Sequence, residues 1–534
     1  MKRWNGWGDD QFHLDLPPQG EQFLMERVGP GITLADAELS EVCRQVPPSR
    51  LPSHPLIDTT EETRVRHARG QSLPDWLAMR SGDFGTFPDG VALPECEEEV
   101  RDLLQYAQQH NVDVIPYGGG TSVAGHINPL AGDNPVLTIS LARMNRLLDF
   151  DPESQIATFG AGTPGPLVES QLRAKGYTLG HFPQSFELST VGGWVASRSS
   201  GQQSLRYGRI EQLFAGGKTE TLQGTLEIPT IPASSTGPDI REMILGSEGR
   251  IGILTEVKVR CTPLPERETF HVVFFPNWEK ARTAARTLVQ SKVQLSMLRL
   301  SNATETETQL ALAGHPRQIR LLESFLAFRG ARDEKCMMTF GLTGSRHQCA
   351  SALREARRIG AHQDGVYTGT YLGNKWAEKR FTMPYLREAL WGLGYAVDTL
   401  ETATDWDNVD ALLDKMESTL RQGLAGIQEK VHVFTHLSHF YGQGCSIYTT
   451  YVFRNGEDYP ETLRRWSQLK QATSKVIVEN RGTISHQHGV GKDHAPYLPV
   501  EKGELGMRAI RALCHTFDPD QRLNPGTLID NDDA

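Results

Sequence analysis

The chain has 534 residues, of which 38% are hydrophobic and 22% are charged, so it is long enough for several globular domains with sizeable cores. Its 65 acidic residues outnumber its 55 basic residues, and the net charge of −10 argues against broad nucleic-acid binding, which needs basic surface. No stretch of roughly 18 consecutive apolar residues occurs, which excludes a membrane-spanning helix.

The cysteines and the N-terminal residues favour a cytoplasmic location. The seven cysteines are scattered, odd in number and without a C-x-x-C pair, so neither a disulfide framework nor a zinc–thiolate site is expected. The first residues carry charges and tryptophans but lack the apolar core of a signal peptide. We therefore expect a protein of the reducing cytoplasm.

The first half of the chain divides into two predicted parts. Residues 1–90 are irregular and contain proline clusters, which predicts an N-terminal wrap with short helices. Residues 91–266 open with an acidic turn and with apolar residues at helical spacing from Val100 to Ala107, which predicts a helix. Strands are expected next at 112–116, 136–140 and 155–159, and another helix at 166–175.

The second half alternates strands with helices after a predicted boundary near Pro263-Leu264-Pro265. Residues 267–430 combine strand-like runs with amphipathic helices, which predicts a cap or substrate domain. Residues 431–534 contain a histidine-rich segment and a helix at 506–517. This mixture of strands and helices predicts an α+β fold.

A glycine-rich loop directly follows the predicted strand at 112–116. Its glycines allow backbone N–H groups to approach an anion, and its hydroxyl groups add donors, so a diphosphate is a natural ligand. A tight structural turn explains the same residues equally well. The loop comprises Pro116, Tyr117, Gly118, Gly119, Gly120, Thr121 and Ser122.

A second glycine pattern, at residues 160–165, has the G-x-G-x-x-G spacing of a dinucleotide-binding fingerprint. Pro164 removes a backbone donor where a diphosphate would need one, and a single fingerprint is weak evidence. We therefore interpret this pattern as a turn and not as a nicotinamide-dinucleotide site.

Two further loops resemble known flavoprotein motifs. Residues 184–194 read Q-S-F-E-L-S-T-V-G-G-W, a serine-rich turn follows, and residues 246–252 read G-S-E-G-R-I-G. Together with the first glycine loop, they resemble the FAD-binding domain of the vanillyl-alcohol-oxidase flavoprotein superfamily. Within it the chain is similar to the alkyldihydroxyacetonephosphate synthase family of ether-lipid synthesis, and this likeness extends to W-N-G-W-G at 4–8 and S-T-G-P-D at 235–239.

The resemblance implies a two-part PCMH-type FAD-binding domain and a cap domain with an antiparallel sheet and helices. It also implies a non-covalent FAD, although the residues alone leave attachment to His126 or His181 open. Besides the first glycine loop, the FAD-binding residues it implies are Gln184, Ser185, Phe186, Glu187, Leu188, Ser189, Thr190, Ser197, Arg198, Ser199, Ser200, Glu248, Gly249, Arg250, Ile251, Gly252, Ile253 and Leu254.

His486 and His488 are the strongest cluster outside the glycine loops. Side chains two residues apart share one face of an extended segment, so both imidazoles can face the same site. A pair of structural, hydrogen-bonded histidines is one interpretation. A metal site is the other, and it needs further ligands, for which candidates are His432, His436 and His439.

A second resemblance tests the metal site. Metal-dependent D-2-hydroxyacid dehydrogenases resemble this chain, but where they have a glutamate and a histidine ligand this chain has Gln487 and Tyr448. An amide and a phenol are poor ligands for a divalent cation. We therefore expect no metal.

The synthase family implies roles for five residues. Tyr448 matches the family's acid/base, which can act as a base only if its neighbours stabilise a phenolate. Arg299 matches an arginine needed for activity, and Arg387 matches the substrate-binding arginine, whose guanidinium suits a phosphate. His486 and His488 are expected to move protons, although the family has a third histidine between them.

These matches imply an enzyme that exchanges the acyl group of acyl-dihydroxyacetone phosphate for a long-chain alcohol. The implied partners are a lipid phosphate substrate, a membrane surface and a second copy of the chain, with no nucleic acid. The alternative is an FAD-linked oxidase or dehydrogenase of a D-2-hydroxy acid, which L-N-P-G at 523–526 favours.

Overall fold

In the computed structural model, which describes residues 2–313 and 316–529, the N-terminal segment packs against the C-terminal half of the protein. Trp7, Val65 and Trp76 belong to the same hydrophobic core as Val433 and Phe453. The segment is therefore a wrap, as predicted, but one that covers the cap. Its elements are α1 (Pro18–Val28), α2 (Leu39–Cys43), β1 (Ile57–Asp58), α3 (Glu61–Arg66) and α4 (Leu73–Ser81).

The next part of the chain contains a small mixed sheet, in the order β1-β2-β4-β3, whose last three strands are parallel. Helix α5 crosses between β2 and β3 and buries Val100, Leu103 and Ala107, the residues of the predicted helix. Asn111 ends it in the left-handed conformation, with φ of 55°. The elements are β2 (Gly90–Ala92), α5 (Glu97–His110), β3 (Asp113–Tyr117) and β4 (Val136–Ser140).

A five-stranded antiparallel sheet follows, in the order β5-β6-β10-β8-β9, and completes the predicted two-part domain. Short strands β7 and β11 pair separately. The elements are β5 (Leu147–Asp151), β6 (Ile156–Gly160), α6 (Gly165–Arg173), β7 (Tyr177–Thr178), α7 (Val191–Ser197), α8 (Ser204–Tyr207), α9 (Ile210–Leu213), β8 (Phe214–Thr221), β9 (Gly224–Ile228), α10 (Arg241–Ile244), β10 (Ile253–Arg260) and β11 (Thr262–Pro263).

The cap is built on a seven-stranded antiparallel sheet, in the order β15-β12-β14-β13-β17-β18-β16, which confirms the predicted fold class. The elements are β12 (Arg267–Phe275), α11 (Trp278–Gln290), β13 (Met297–Ser301), α12 (Ala303–Leu312), α13 (Pro316–Phe328), β14 (Cys336–Gly344), α14 (Arg346–His362), β15 (Val366–Gly369), α15 (Tyr371–Lys379), α16 (Leu386–Gly392), β16 (Tyr395–Asp405), α17 (Val409–Gln422), β17 (Val431–Phe440) and β18 (Gly444–Arg454).

This sheet continues across residue 430, where the sequence predicted a boundary. Strands β17 and β18 lie in the predicted C-terminal segment, yet they pair with β13 and β16 of the cap. The reason is that strand pairing joins residues far apart in the chain, which local patterns do not record.

The remaining C-terminal residues return to the N-terminal half. After α18 (Tyr459–Glu479) and α19 (Leu498–Phe517), the Asn524 N–H donates to the Val114 carbonyl at 2.8 Å, and the Val114 N–H donates to Arg522 at 2.8 Å. Residues 530–534 of the predicted C-terminal segment lie outside the described residues. Within the described ranges, every helix is too short or too polar to cross a membrane.

Glu388 on α16 ties the W-N-G-W-G motif to the cap. Its carboxylate accepts the Trp7 N–H at 3.0 Å and pairs with Arg3 at 2.9 Å and with the buried Arg80. A Cβ on Gly6 would lie 1.9 Å from this carboxylate, so the motif's first glycine is required by close packing.

We expect Glu388→Ala to lower the free energy of unfolding by about 3 kcal/mol, because it leaves the buried guanidinium of Arg80 short of a partner. Chemical unfolding followed by far-UV circular dichroism measures this change. The control is Glu355→Ala, which removes an exposed pair with Arg358 and should change stability by less than about 0.5 kcal/mol. Equal effects of the two variants would contradict the role of Glu388.

Candidate active site

A cavity of about 1060 Å³ lies between the two N-terminal sheets and the cap. Pockets for small ligands measure about 300–1,000 Å³, so this one has room for a ligand of dinucleotide size. One wall is formed by the predicted glycine-rich and serine-rich loops, and the other by strands and helices of the cap.

The first glycine loop lies on the cavity wall along its whole length, from Pro116 to Ser122. Gly119 permits the loop to pass the next one, since a Cβ there would lie 1.9 Å from the carbonyl oxygen of Leu188. The ammonium of Lys2 donates to the Gly119 carbonyl at 3.0 Å and places a positive charge beside the loop. An anion-binding loop is consistent with this arrangement.

The other predicted FAD-binding residues divide into two sets. One set lines the cavity and comprises Gln184, Ser185, Ser189, Thr190, Ser197, Ser199, Ser200, Glu248, Gly249, Gly252, Ile253 and Leu254. The other set supports these loops from behind and comprises Phe186, Glu187, Leu188, Arg198, Arg250 and Ile251.

The supporting residues have partners that explain their place. Phe186 and Ile251 belong to the hydrophobic core of the N-terminal sheets. Glu187 accepts the Tyr385 hydroxyl at 2.9 Å, Arg198 pairs with Glu242 at 2.5 Å, and Arg250 donates to the Leu523 carbonyl at 2.8 Å. Similarity to the family motifs does not by itself distinguish the residues that line the cavity from those that support the loops.

The cavity wall fits FAD in its chemistry as well as in size. Buried oxygen atoms of Thr219 and Asn524 line it without a hydrogen-bond partner. Buried polar groups of proteins are normally paired, so these atoms indicate a polar ligand. The histidines considered for covalent attachment are engaged: both ring nitrogens of His126 contact Ser122 or Glu248, and His181 packs against Trp194 away from the wall.

Tyr448 reaches the cavity from β18. Its hydroxyl lies 3.3 Å from Gln184 Oε1 and 3.3 Å from Thr399 Oγ1, and its ring stacks on His436 with centroids 4.8 Å apart. Burial raises the pKa of this phenol well above its usual value, and the carboxylates of Glu401 and Asp398 add to the rise. The expected stabilisation of a phenolate is thus outweighed, and Tyr448 keeps its proton at neutral pH.

Arg299 lies on the same wall in a buried charged cluster. It donates to Glu305 Oε1 at 2.5 Å and to His436 Nδ1 at 3.0 Å, while its Nε has no partner. Burial by itself would raise the pKa of Glu305, but the neighbouring His436 and Arg299 lower it to about 2. Glu305 is therefore ionised and holds the guanidinium in place.

Arg387 presents unpaired donors to the cavity. Its Nη1 donates to the Gln71 carbonyl at 2.6 Å, and its guanidinium lies 4.2 Å from the centre of the Trp76 ring. Its Nε and Nη2 atoms are buried and have no hydrogen-bond partner. A guanidinium with two free adjacent donors is arranged for a bidentate anion.

The two predicted catalytic histidines occupy different places. His488 lines the cavity, with its ring centre 6.0 Å from that of Tyr448. His486 lies behind the cavity wall, with Nε2 at 2.6 Å from both the Tyr441 hydroxyl and Arg209 Nη1. The segment is a turn and not a strand, so residues two apart do not share a face.

Two carboxylates hold this turn, a role that the sequence analysis did not predict for either of them. Glu401 accepts the N–H groups of Gln487 and His488 at 2.6 and 2.8 Å. Glu248, predicted only as an FAD contact, accepts those of Val490 and Gly491 at 2.5 and 2.7 Å. No local signal marks Glu401, because its partners are more than 80 residues away in the chain.

The histidines considered as metal ligands have separate hydrogen-bonding partners, although the rings of His439 and His486 lie 4.9 Å apart. His432 contacts Thr308 at 3.0 Å, and His439 contacts Ser200 at 3.1 Å, each within a hydrogen-bonded network of its own. Among residues 2–313 and 316–529, no group of three or more His, Cys, Asp or Glu side chains is placed to hold a metal ion.

Family models match both halves of the chain. The FAD binding domain matches residues 88–228, and the C-terminal domain of FAD linked oxidases matches residues 264–528. The second match begins at the predicted boundary near 266 and, like the cap sheet, runs through residue 430. The chain therefore binds FAD, as predicted.

Curated proteins and solved structures agree with these matches. The alkyldihydroxyacetonephosphate synthase of Dictyostelium discoideum is 31% identical over 475 residues, which cover 87% of this chain and 77% of that protein. The Trypanosoma brucei brucei synthase is 28% identical, with 99% of this chain and 92% of that protein covered. A solved alkyldihydroxyacetonephosphate synthase superimposes with a TM-score of 0.84 at 26% identity, covering 98% of each chain. The chain belongs to the alkyldihydroxyacetonephosphate synthase family of FAD-linked oxidases.

Proposed function

We propose that this protein converts acyl-dihydroxyacetone phosphate and a long-chain alcohol to the alkyl ether and a free fatty acid. The ester bond between C1 and oxygen breaks, and a bond forms between C1 and the alcohol oxygen. The fatty acid leaves as a carboxylate, so each turnover releases one proton and involves no net oxidation.

The observation that carries this proposal is the pair of unpartnered donors, Nε and Nη2, of Arg387 in the cavity that the FAD loops line. A phosphate is the group that satisfies two adjacent, charged donors in one contact. The proposed substrate carries such a phosphate, and Tyr448 and His488 line the same cavity as Arg387.

Apolar side chains of the cap, which we together call the apolar end of the same cavity, suit an alkyl chain. They come from the cap sheet and from helices α12, α13, α15 and α16, which also place polar residues such as Lys375 and Arg387 on the wall. Hydrocarbon buried against such a surface is stabilised by about 25 cal/mol per Å². The apolar residues are Val272, Leu310, Leu312, Ile319, Leu322, Met337, Leu372, Leu390 and Phe434.

Bound FAD supplies the chemistry of an electron sink, and the chain's own groups bind, orient and exchange protons. Arg387 holds the phosphate, while the guanidinium of Arg299 and the carboxylate of Glu305 both contact His436 Nδ1, at 3.0 and 3.1 Å. Tyr448 O–H and His488 both lie on the wall, with their ring centres 6.0 Å apart, and His436 lies there as well, 4.8 Å from the Tyr448 ring. Tyr448 and His488 are the groups that we expect to exchange protons with the substrate.

Oxidation of a D-2-hydroxy acid is less well supported. A small, polar acid would leave the apolar end of the cavity without a ligand. The L-N-P-G sequence that favoured this alternative has a structural explanation, since Asn524 donates its N–H to Val114 and its side-chain amide to the Glu248 carbonyl. The motif anchors the C-terminal residues to the FAD loops and carries no information about the substrate.

We expect Arg387→Ala to raise the KM for acyl-dihydroxyacetone phosphate about 10- to 100-fold, because charged hydrogen bonds contribute about 1.5–3 kcal/mol. Steady-state kinetics with mass-spectrometric detection of the ether product measures this effect, and flavin absorbance verifies that FAD is retained. Arg358→Ala, which changes an exposed arginine, is the control. An unchanged KM would show that Arg387 does not bind the substrate's phosphate.

We expect Tyr448→Phe to slow exchange about 10²- to 10⁴-fold, because it removes a proton carrier but keeps the ring that stacks on His436. Tyr451→Phe on the opposite face of β18 is the matched control, since its hydroxyl faces Asp398 at 3.3 Å and not the cavity. We expect exchange in that control to stay close to wild type. Full exchange activity in Tyr448→Phe would refute the proposed role.

We also propose that α13 docks on a lipid surface. Leu321, Phe325 and Phe328 project from it with 73%, 45% and 87% of their surfaces exposed. Ile319 and Leu322 of the same helix line the apolar end of the cavity, so the helix separates that end from the exterior. A bilayer is the occupant that matches both facts, because the proposed substrates are lipids. Exposed arginines beside it, which suit anionic headgroups, are Arg317, Arg320 and Arg329.

We expect the protein to sediment with vesicles that contain anionic phospholipid, and the triple variant Leu321→Ser, Phe325→Ser, Phe328→Ser to remain in the supernatant. The substituted side chains are exposed, so stability should be maintained. The control is Val500→Ser, Leu505→Ser on α19, where the exposed fractions are 61% and 74%. Equal loss in both variants, or no binding by wild type, would refute docking through α13.

The sequence analysis also predicted a homodimer and a cytoplasmic location, and both remain predictions.

A further inference from the structure

Glu401 is a buried carboxylate at the centre of the candidate site. Only 3% of its surface is exposed, and it lies on β16 directly across from Tyr448 on β18. Its Oε1 accepts the N–H groups of Gln487 at 2.6 Å and of His488 at 2.8 Å. The carboxylate is thus a neighbour of both Tyr448 and His488, the two side chains expected to move protons.

The same carboxylate faces two imidazoles. Its Oε1 lies 3.5 Å from Nδ1 of His488, and its Oε2 lies 3.8 Å from Nδ1 of His486. Arg209 Nη1 lies 2.6 Å from Nε2 of His486, and a guanidinium can only donate. His486 therefore accepts at Nε2 and carries its proton on Nδ1, which lies 3.8 Å from Glu401 Oε2 and has no hydrogen-bond partner.

Glu401 is ionised despite its burial. Burial alone would raise the pKa of this carboxyl, but His488, His486 and the Gln487 N–H together hold the pKa far below its usual range. An anionic oxygen beside Nδ1 of His488 stabilises the tautomer with the proton on Nδ1. The free lone pair of His488 is then on Nε2, and His488 is on the cavity wall.

We propose that Glu401 is a positioning residue that holds His488 in the Nδ1–H tautomer, so that Nε2 is the base for the substrate's C1 proton. In this step the C1–H bond breaks, its electron pair stays with carbon, and the proton forms an imidazolium that Glu401 stabilises. The imidazolium returns this proton to C1 after the exchange, and Tyr448 keeps its own proton in this step as a hydrogen-bond donor on the same wall. This inference rests on the exchange reaction proposed above.

Charged and titratable groups face His488 from several elements. Glu401 approaches from β16, Tyr448 from β18 and His494 from the turn that follows. Glu248 and His126 approach the adjacent Gly489 from the FAD loops. Of these groups, Glu401 is the carboxylate that lies beside Nδ1 of His488. Replacing Glu401 is therefore a specific test of what sets the His488 tautomer.

The test uses Glu401→Gln in the FAD-loaded protein. The amide oxygen still accepts the two backbone N–H groups, so the turn is retained, while the negative charge beside Nδ1 is lost. Nitrogen-15 NMR of labelled histidine reports the tautomer, and the His488 signal is the one that disappears in His488→Gln. We expect Nδ1–H in wild type and a shift toward Nε2–H in Glu401→Gln.

The pH dependence of kcat/KM is the second readout. Loss of the negative charge beside the base makes its protonated form less favourable, so the acid limb of the profile should move to lower pH. We expect kcat to fall at least about 10-fold, because the base is held in the wrong tautomer. A merely structural role would lower stability or flavin content without moving the acid limb.

Glu417→Gln is the matched control, since Glu417 is a buried cap carboxylate that accepts from Thr435 and Asn302 away from the cavity. We expect wild-type tautomer, pH profile and rate in this control. A wild-type tautomer and acid limb in Glu401→Gln would overturn the inference. A wild-type enzyme without exchange activity would instead refute the proposed function, and the NMR experiment would still decide the role of Glu401.

Discussion

Two buried carboxylates hold the turn at residues 487–491 by its backbone, and the site depends on them. Glu401 of the cap accepts two successive N–H groups and Glu248 of the FAD domain accepts two more. Such charge-assisted bonds are short and strong, and a buried N–H without a partner costs about 1–3 kcal/mol. Because the two carboxylates come from different domains, the turn joins those domains at the edge of the cavity.

The cap contributes a row of polar side chains on four neighbouring strands. Arg299 on β13, His436 on β17, Tyr448 on β18 and Glu401 on β16 follow one another across the sheet. Strand side chains alternate between faces, so a shift of one residue in any pairing would remove a member of the row from the site. The apolar core beneath the sheet therefore also maintains the register on which the chemistry depends.

The sequence predicted features that rest on local patterns. The helix containing Val100 and Ala107 and the strand at 136–140 lie where periodicity places them, and the motif likeness identified the FAD loops. The extension of the cap sheet past residue 430 and the role of Glu401 depend on pairing between distant segments. His486 illustrates the same limit, because its spacing from His488 implied a shared face, whereas its Nε2 lies 2.6 Å from Arg209 behind the cavity wall.

Gln487, where the family resemblance implies a histidine, is compatible with the same turn. Glu401 holds this residue through its backbone N–H, a group that every residue except proline supplies. The side chain can therefore vary without loss of the turn. A neutral amide also adds no ring beside Glu401, whose carboxylate oxygens lie 3.8 Å from Nδ1 of His486 and 3.5 Å from Nδ1 of His488. The replacement thus simplifies the electrostatics of the site while its geometry is retained.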